Sequence, residues 1–365
     1  MAGAKWIDTR TAAYTFNSDH EKNNIYLFAQ GTNNGTNDLG STATLNNNFN
    51  VAPGGTASST NKTIGMYFDT AVKGKTTFVD NTLDMTNGKV VVTNKGIGIY
   101  AKNGSTDKNN IINKIAISST GDSTVGLFTD GNLKLTGTGG KVEALNQGIG
   151  LYGNSGKITI ENTHKVEVTS AGTGMYLTGE SYLDGGKLEL ENKTTGTTAA
   201  AIYYKKGTSS NEVNHKTDLT VTAGNDLLAL YADGGIKLNN NKDIVIDTGE
   251  NNVGAYVTGG SIFNNKGSIK LGTATGTNLI NAIGIYVADG EAVNTAGKTI
   301  EIYDRNNVAG SSLSVGMLAK ANAGATATIK NAGNINVTGE AVGMNIDDNL
   351  SLIHISEPTR QAEIS

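Results

Sequence analysis

The chain has 365 residues, 48 of them Gly and 2 Pro, with 17% charged residues and a formal net charge of −4. It lacks the clustered Lys and Arg of a nucleic-acid or anionic-membrane surface; Lys205-Lys206 is its only adjacent basic pair. Without cysteine there is neither a disulfide frame nor a thiol nucleophile, and no run of about 18 apolar residues predicts a membrane-spanning helix.

Residues 1–60 carry the weakest pattern. Trp6, Tyr14, Phe16 and the run Ile25-Tyr26-Leu27-Phe28 stand between Asn-rich and Gly-rich spacers. They read as irregular first coils or a cap ending near Pro53-Gly54-Gly55, as terminal units of repeat proteins often do. Met1 opens no charged-then-apolar leader, so the chain is expected to have no export signal of its own.

From residue 61 to 349 one phrase recurs. Gly148-Ile149-Gly150-Leu151-Tyr152 is its clearest form, with Gly96-Ile97-Gly98-Ile99-Tyr100 before it and Ala282-Ile283-Gly284-Ile285-Tyr286 after it. From Tyr67 to Asn345 the phrase returns about every 28 residues, a period of solenoids and arrays. Between Tyr152 and Tyr176 the unit reads turn, strand (Lys157–Ile160), turn, strand (Lys165–Thr169), turn, then the Gly-Met-Tyr strand. Short alternating strands bounded by turn residues, repeating at 24–33 residues, predict an all-β parallel β-helix (β-solenoid) of about ten coils.

Within the phrase, period-two alternation puts the residue before the aromatic and the residue three before it on one face. Ile99 and Ile97 are such a pair, expected inside. The other face then carries Gly or Ala followed by the aromatic. Stacked copies should form an external aromatic ladder of Tyr67, Tyr100, Phe128, Tyr152, Tyr176, Tyr203, Tyr231, Tyr256 and Tyr286 beside a smooth Gly/Ala strip. Such a ladder covers flexible backbone or serves as a ligand-binding strip; both readings stay open.

An Asn stands four residues before the first aliphatic of several strands: Asn162, Asn240, Asn265 and Asn331. Asn tolerates a left-handed backbone, so these are expected as turn residues. Longer excursions near 70–90, 101–113, 204–217 and 303–313 are expected as loops, where recognition would sit. The last fifteen residues, 351–365, break the pattern and resemble translated adapter read-through. They imply that the natural protein continues past about residue 350.

Chemistry is sparse. Gly148-Ile149-Gly150-Leu151-Tyr152-Gly153 matches G-x-G-x-x-G, but no helix is predicted after it. His20, His164, His215 and His354 lie far apart without metal-ligand spacing. Carboxylates are the remaining catalytic candidates, since glycosidases flank one sugar bond with an Asp/Glu pair. Just past the aromatic come Asp69, Asp130, Asp233, Asp289 and Asp347, with no two in adjacent coils at one offset; Asp-Gly is ordinary turn chemistry. No catalytic, cofactor or metal residue is assigned.

The Gly-Ile-Gly-Ile-Tyr phrases with Asn-x-Gly-x-Ile-x-Val linkers resemble the passenger domains of type V autotransporters of fusobacterial type, over about residues 60–349. The resemblance implies a right-handed β-helix displayed at the outer membrane, with a C-terminal barrel that this chain lacks. It implies a monomeric, non-catalytic stalk and adhesin meeting a protein or glycan on host cells or other bacteria. A β-helix glycosidase or lyase is the alternative.

Overall fold

The computed structural model describes residues 5–6, 25–33, 36–39, 41–45, 49–51, 64–93, 95–178, 180–208, 212–273, 279–304 and 313–347. The expected tail at 351–365 and most of the expected cap at 1–60 lie outside them. Among the described residues all regular structure is strand.

The chain winds as a parallel β-solenoid. One face is a sheet of the aromatic phrases, in which Ile64–Val72, Ile97–Lys102, Val125–Asp130 and Ile149–Ser155 pair in sequence order. The same sheet runs on through Leu227–Asp233 and Val253–Val257 to Ala341–Ile346. Each coil adds two further strands, as Lys157–Ile160 and Thr163–Val168 do in the best-formed unit. Every strand meets its equivalent one coil away: Leu127 opposes Leu151, Leu151 opposes Met175, and Val142 opposes Val166. The pairing is parallel throughout the described coils, the antiparallel exceptions being Thr32–Asn33 with Asp38–Leu39 and the bridge of Ala71 to Phe78. A stack in which each coil covers the last satisfies backbone groups and buries apolar side chains without a separate core element.

The residue before the aromatic lines the interior, with Ile99, Leu127, Leu151 and Met175 fully buried. Met344, in the last described coil, is 40% exposed because no described residue stacks on it. The partner expected beside it, three before the aromatic, does not point inward. The strand register skips the glycine: Val125 pairs Ile97 and Leu127 pairs Ile99, leaving Gly98 and Gly126 unpaired. The pairing offset is the same on both sides of the glycine, so no residue is inserted; a kink shared by every coil turns two successive residues inward. Ile97, Val125 and Ile149 are therefore only half-buried and stand outside, while the glycines face the core.

The glycines are required by contact. A Cβ on Gly150 would lie 2.3 Å from Val142 Cγ1 and 2.6 Å from the Gly174 carbonyl oxygen. The expected external Gly/Ala strip is thus an internal one, and the outer strip is aliphatic and aromatic.

The asparagines divide. Asn162 has φ of 65°, as expected of a left-handed turn residue. Asn240, Asn265 and Asn294 are instead fully buried and bond along the stack. Asn240 Nδ2 donates to Asn265 Oδ1 at 3.1 Å, Asn265 to Asn294 at 3.0 Å, and Asn294 to Asn331 at 2.8 Å. An inward-turned amide with a donor and an acceptor can join the coils on both sides of it. The excursion expected at 204–217 is shorter: Tyr204 and Lys205 end one strand, and Glu212–Ala223 is a single long strand on which His215 is buried.

Candidate functional site: an axial groove beside the aromatic ladder

The ladder residues stack as one column. Tyr67, Tyr100, Phe128, Tyr152, Tyr176, Tyr203, Tyr231, Tyr256 and Tyr286 follow one another, and Phe28 extends the column at its start. Centroid separations run from 4.5 Å for Tyr203–Tyr231 to 5.2 Å for Tyr67–Tyr100, with planes within 21° of parallel. Each ring in the middle of the column has both faces covered by its neighbours. What it offers outward is an edge and a hydroxyl. Burial raises the phenols, with Tyr67 and Tyr256 at about 12, so the column stays neutral and donates hydrogen bonds.

A second row accompanies it. The outward aliphatic of each phrase forms a parallel strip, and Leu228, Val253 and Ile283 belong to it. A third row sits at the preceding corner, five residues before each aromatic, in left-handed backbone: Lys95, Ser123, Gln147 and Ala171, then Asp226, Asn251 and Asn281. In the last three the residue type suits the backbone. Their side chains bond along the axis, Asn251 Nδ2 to Asp226 Oδ1 at 3.1 Å and Asn281 Nδ2 to Asn251 Oδ1 at 2.7 Å. Beside them the corner bulges, and Gly249–Glu250 pairs Leu279–Ile280 as a small separate sheet.

The three rows enclose a groove of about 390 Å³ parallel to the solenoid axis. Leu228, Val253 and Ile283 form its floor; Tyr231, Tyr256 and Tyr286 form one wall. Thr198, Asp226 and Asn251 form the other. The sequence reading found the tyrosine wall. It missed the floor, because strict alternation hides a kink shared by every coil, and it missed the corner row, whose signal was an Asx five residues before the aromatic.

The carboxylates are engaged structurally. Asp69 and Asp130 share a column but Lys102 stands between them. Asp233 accepts a hydrogen bond from the Tyr203 hydroxyl, and Asp347 is paired with Lys320 at 2.6 Å. Asp289 begins a turn whose Gly290 has φ of 121°. Adjacent-coil carboxylates do occur elsewhere, where sequence reasoning did not seek them. Asp218 Oδ1 accepts the Asp243 amide at 3.1 Å, and Asp243 Oδ1 accepts the Ser268 amide at 3.0 Å. Glu143 and Glu167 are direct register partners. They share Lys141, at 2.5 and 3.0 Å, with Lys89 and Lys193 at the two ends. Burial works to raise Glu143, but the lysine hydrogen bonds prevail and bring it to about 2; Glu167 is lowered in the same way.

The histidines are internal. His215 Nε2 donates to the Thr217 carbonyl at 2.6 Å and Nδ1 accepts from the Tyr204 hydroxyl at 3.0 Å. His164 is buried, leans over Gly140, and among the described residues neither of its ring nitrogens has a hydrogen-bond partner. Among the described residues no group of three or more His, Cys, Asp or Glu is placed to hold a metal ion.

Residues 129–353 match the profile of the family described as BigA third pectate lyase-like domain. The chain belongs to that family. The matched span covers the regular coils from the end of the Val125–Asp130 strand onward, including the whole groove. No curated protein and no solved structure matches the chain.

Proposed function

We propose that this chain is a surface-displayed, non-catalytic β-helix rod of a bacterial adhesin, and that contacts to a partner cell are made by its outer rows and corners. One observation carries the reading: among the described residues the interior is filled by side chains stacked from coil to coil, which leaves the outer surface to act. Buried aliphatics run as one cluster from Ala29 to Ala327, and buried asparagines bond one another. Family membership supports a β-helix of this kind.

The non-catalytic part rests on the carboxylates. A glycosidase needs one carboxyl kept protonated near neutral pH while its partner stays ionised. Glu143 and Glu167 are both lowered, and their lysines hold both as anions. Asp218 and Asp243 spend oxygens on backbone amides. The finer assignment, a type V autotransporter passenger of fusobacterial type, is proposed on the sequence phrases alone.

The test is to display residues 1–365 on a non-adherent bacterium and count cells bound to epithelial monolayers and to partner bacteria. Saturable binding above an empty-display control is expected. Binding equal to the control in both assays would overturn the adhesive reading. Release of reducing ends from any polysaccharide would overturn the non-catalytic one.

A further inference from the structure

The groove beside Tyr231, Tyr256 and Tyr286 has more built into it than a smooth rod needs. Its floor is aliphatic and its walls carry hydrogen-bonding groups on both sides. Among the described residues the hydroxyls of Tyr231, Tyr256 and Tyr286 have no hydrogen-bond partner, in contrast to Tyr203, which is tied to Asp233. Opposite them, Asn251 uses one amide hydrogen along the axis, toward Asp226, and among the described residues retains the other. The polar rows face each other across apolar ground.

The repeat of the groove restricts what can lie in it. Successive rings are 5.1 Å apart for Tyr231–Tyr256 and 5.0 Å for Tyr256–Tyr286. An extended peptide advances about 3.3 Å per residue and presents like faces about every 6.7 Å, so it falls out of step with the coils. A polyproline helix, at about 3.1 Å per residue, does no better. A chain of 1,4-linked pyranose rings advances by about one ring length per unit, close to one coil. Alternate rings of an equatorially 1,4-linked chain are turned over, so its two-ring repeat spans two coils; each ring meets an aliphatic and a phenol hydroxyl, and Asn251 adds an amide at the middle of the corner wall.

The chemistry agrees with the spacing. A pyranose with equatorial hydroxyls is polar around its rim and apolar on its faces. Ring faces of the tyrosines are occupied by each other, so stacking on an aromatic face is not available. The C–H face of a sugar instead meets Leu228, Val253 and Ile283, while its rim reaches both walls. Charge narrows the class further. Among the described residues lining the groove there is no Lys or Arg, and Asp226 is a carboxylate. A uronate or sulfated chain would bring anions to a site with no counter-charge.

We propose that this groove binds a neutral, unbranched, equatorially 1,4-linked pyranose chain laid along the solenoid axis. The proposal deepens the adhesive reading and takes its biological use from it, but binding can be measured without cells. Titration calorimetry of the full chain uses three probes: hexasaccharides of β-1,4-glucose and β-1,4-N-acetylglucosamine, and an oligogalacturonate of equal length. Saturable binding of at least one neutral probe is expected, with the acidic probe at least about tenfold weaker.

Val253→Phe fills the floor from outside and should weaken binding at least about tenfold. Tyr256→Phe keeps the stack and loses one hydroxyl, for about a two- to tenfold loss. Ile97→Phe lies on the same outer row, five coils before the groove, and should bind like the parent. Thermal unfolding checks that all three variants fold. The proposal is overturned if neither neutral probe binds at millimolar concentration, if Val253→Phe binds like the parent, or if the acidic probe binds best. Cell adhesion is scored separately. A displayed Val253→Phe chain that loses sugar but still adheres leaves the groove assignment intact and moves adhesion elsewhere. A parent chain that binds sugar but no cell refutes the adhesive reading alone.

Discussion

Gly150→Ala decides which way the glycines of the repeated phrase face, because the two orientations predict opposite signs. On an outer face the substitution would be harmless or mildly stabilising, by about 0.4–1 kcal/mol, through loss of freedom in the unfolded chain. Facing inward, the new methyl is placed 2.3 Å from Val142 Cγ1 and 2.6 Å from the Gly174 carbonyl oxygen. Ordinary carbon contacts are about 3.5–4.0 Å, so the overlap exceeds about 1 Å. Neither neighbour yields easily. Val142 is β-branched and stiff, and the Gly174 carbonyl belongs to the next coil. Overpacking of this kind costs about 1–3 kcal/mol, leaving a net destabilisation of about 1–2 kcal/mol after the unfolded-state gain.

Stacked repeats need not unfold in one step, so the reading should be local: amide exchange at Leu151 and Met175 together with the denaturant midpoint. Trimming the opposing methyls in Val142→Ala should return at least about 0.5 kcal/mol in the double variant. Unchanged or increased stability of Gly150→Ala would refute the inward assignment.

The remaining predictions address the other columns. Tyr152→Ala should lose two stacking contacts, those to Phe128 and Tyr176 at 5.0 Å each, for about 1–3 kcal/mol in chemical denaturation, while Tyr152→Phe stays within about 0.5 kcal/mol. Equal effects of the two would mean that the hydroxyl, not the stack, holds the coil. Asn265→Ala leaves an Asn240 donor and an Asn294 acceptor buried and unmet, and should cost about 2–5 kcal/mol by the same assay; a loss below about 1 kcal/mol would remove the amide column as a stabilising feature. His215 is pushed down to about 4 by burial, so the fold prefers the neutral ring while the unfolded chain takes up a proton near pH 6.5. Its contribution is whole above pH 6.5 and lost as pH falls toward 4, about 3 kcal/mol across the window. His215→Asn, which places an amide opposite Asn240, should flatten that slope; an unchanged slope would refute the assignment.

Much of the architecture could be read from the chain because the solenoid is a local rule applied repeatedly. One phrase at one period determines that like residues stack on like, and Leu127, Leu151 and Met175 do so in register. The facing of the phrase could not be read the same way. Alternation assumes that successive residues take opposite faces, whereas a kink at Gly98 and Gly126 turns the glycine and the residue after it to the same side while the register holds. Such a kink leaves no mark in a hydrophobicity pattern. Its mark is the glycine itself, which a flexible-surface reading explains equally well until the neighbouring Val or Ile methyl is located. The asparagines show the same ambiguity. Asn162 turns the backbone left-handed, and Asn265 turns its side chain inward, yet both stand four residues before an aliphatic.

The kink also explains why a groove exists. Without it, the aliphatic three residues before each aromatic would enter the core, and the ladder would border bare backbone. By placing glycine inside against Val142 or Val166, the chain keeps the two sheets close and releases one aliphatic per coil to the outside. That row is costly to expose, and the aromatic column and the corner shield it, which is why Leu228 and Val253 are only 9% and 7% exposed. Where the corner is short the row is merely covered. Where it widens, beside Gly249–Glu250, the same packing becomes a lined channel. Changes confined to the corner can therefore alter what the channel accepts without disturbing the buried register, since Asp226 and Asn251 lie outside the cluster that holds the coils together.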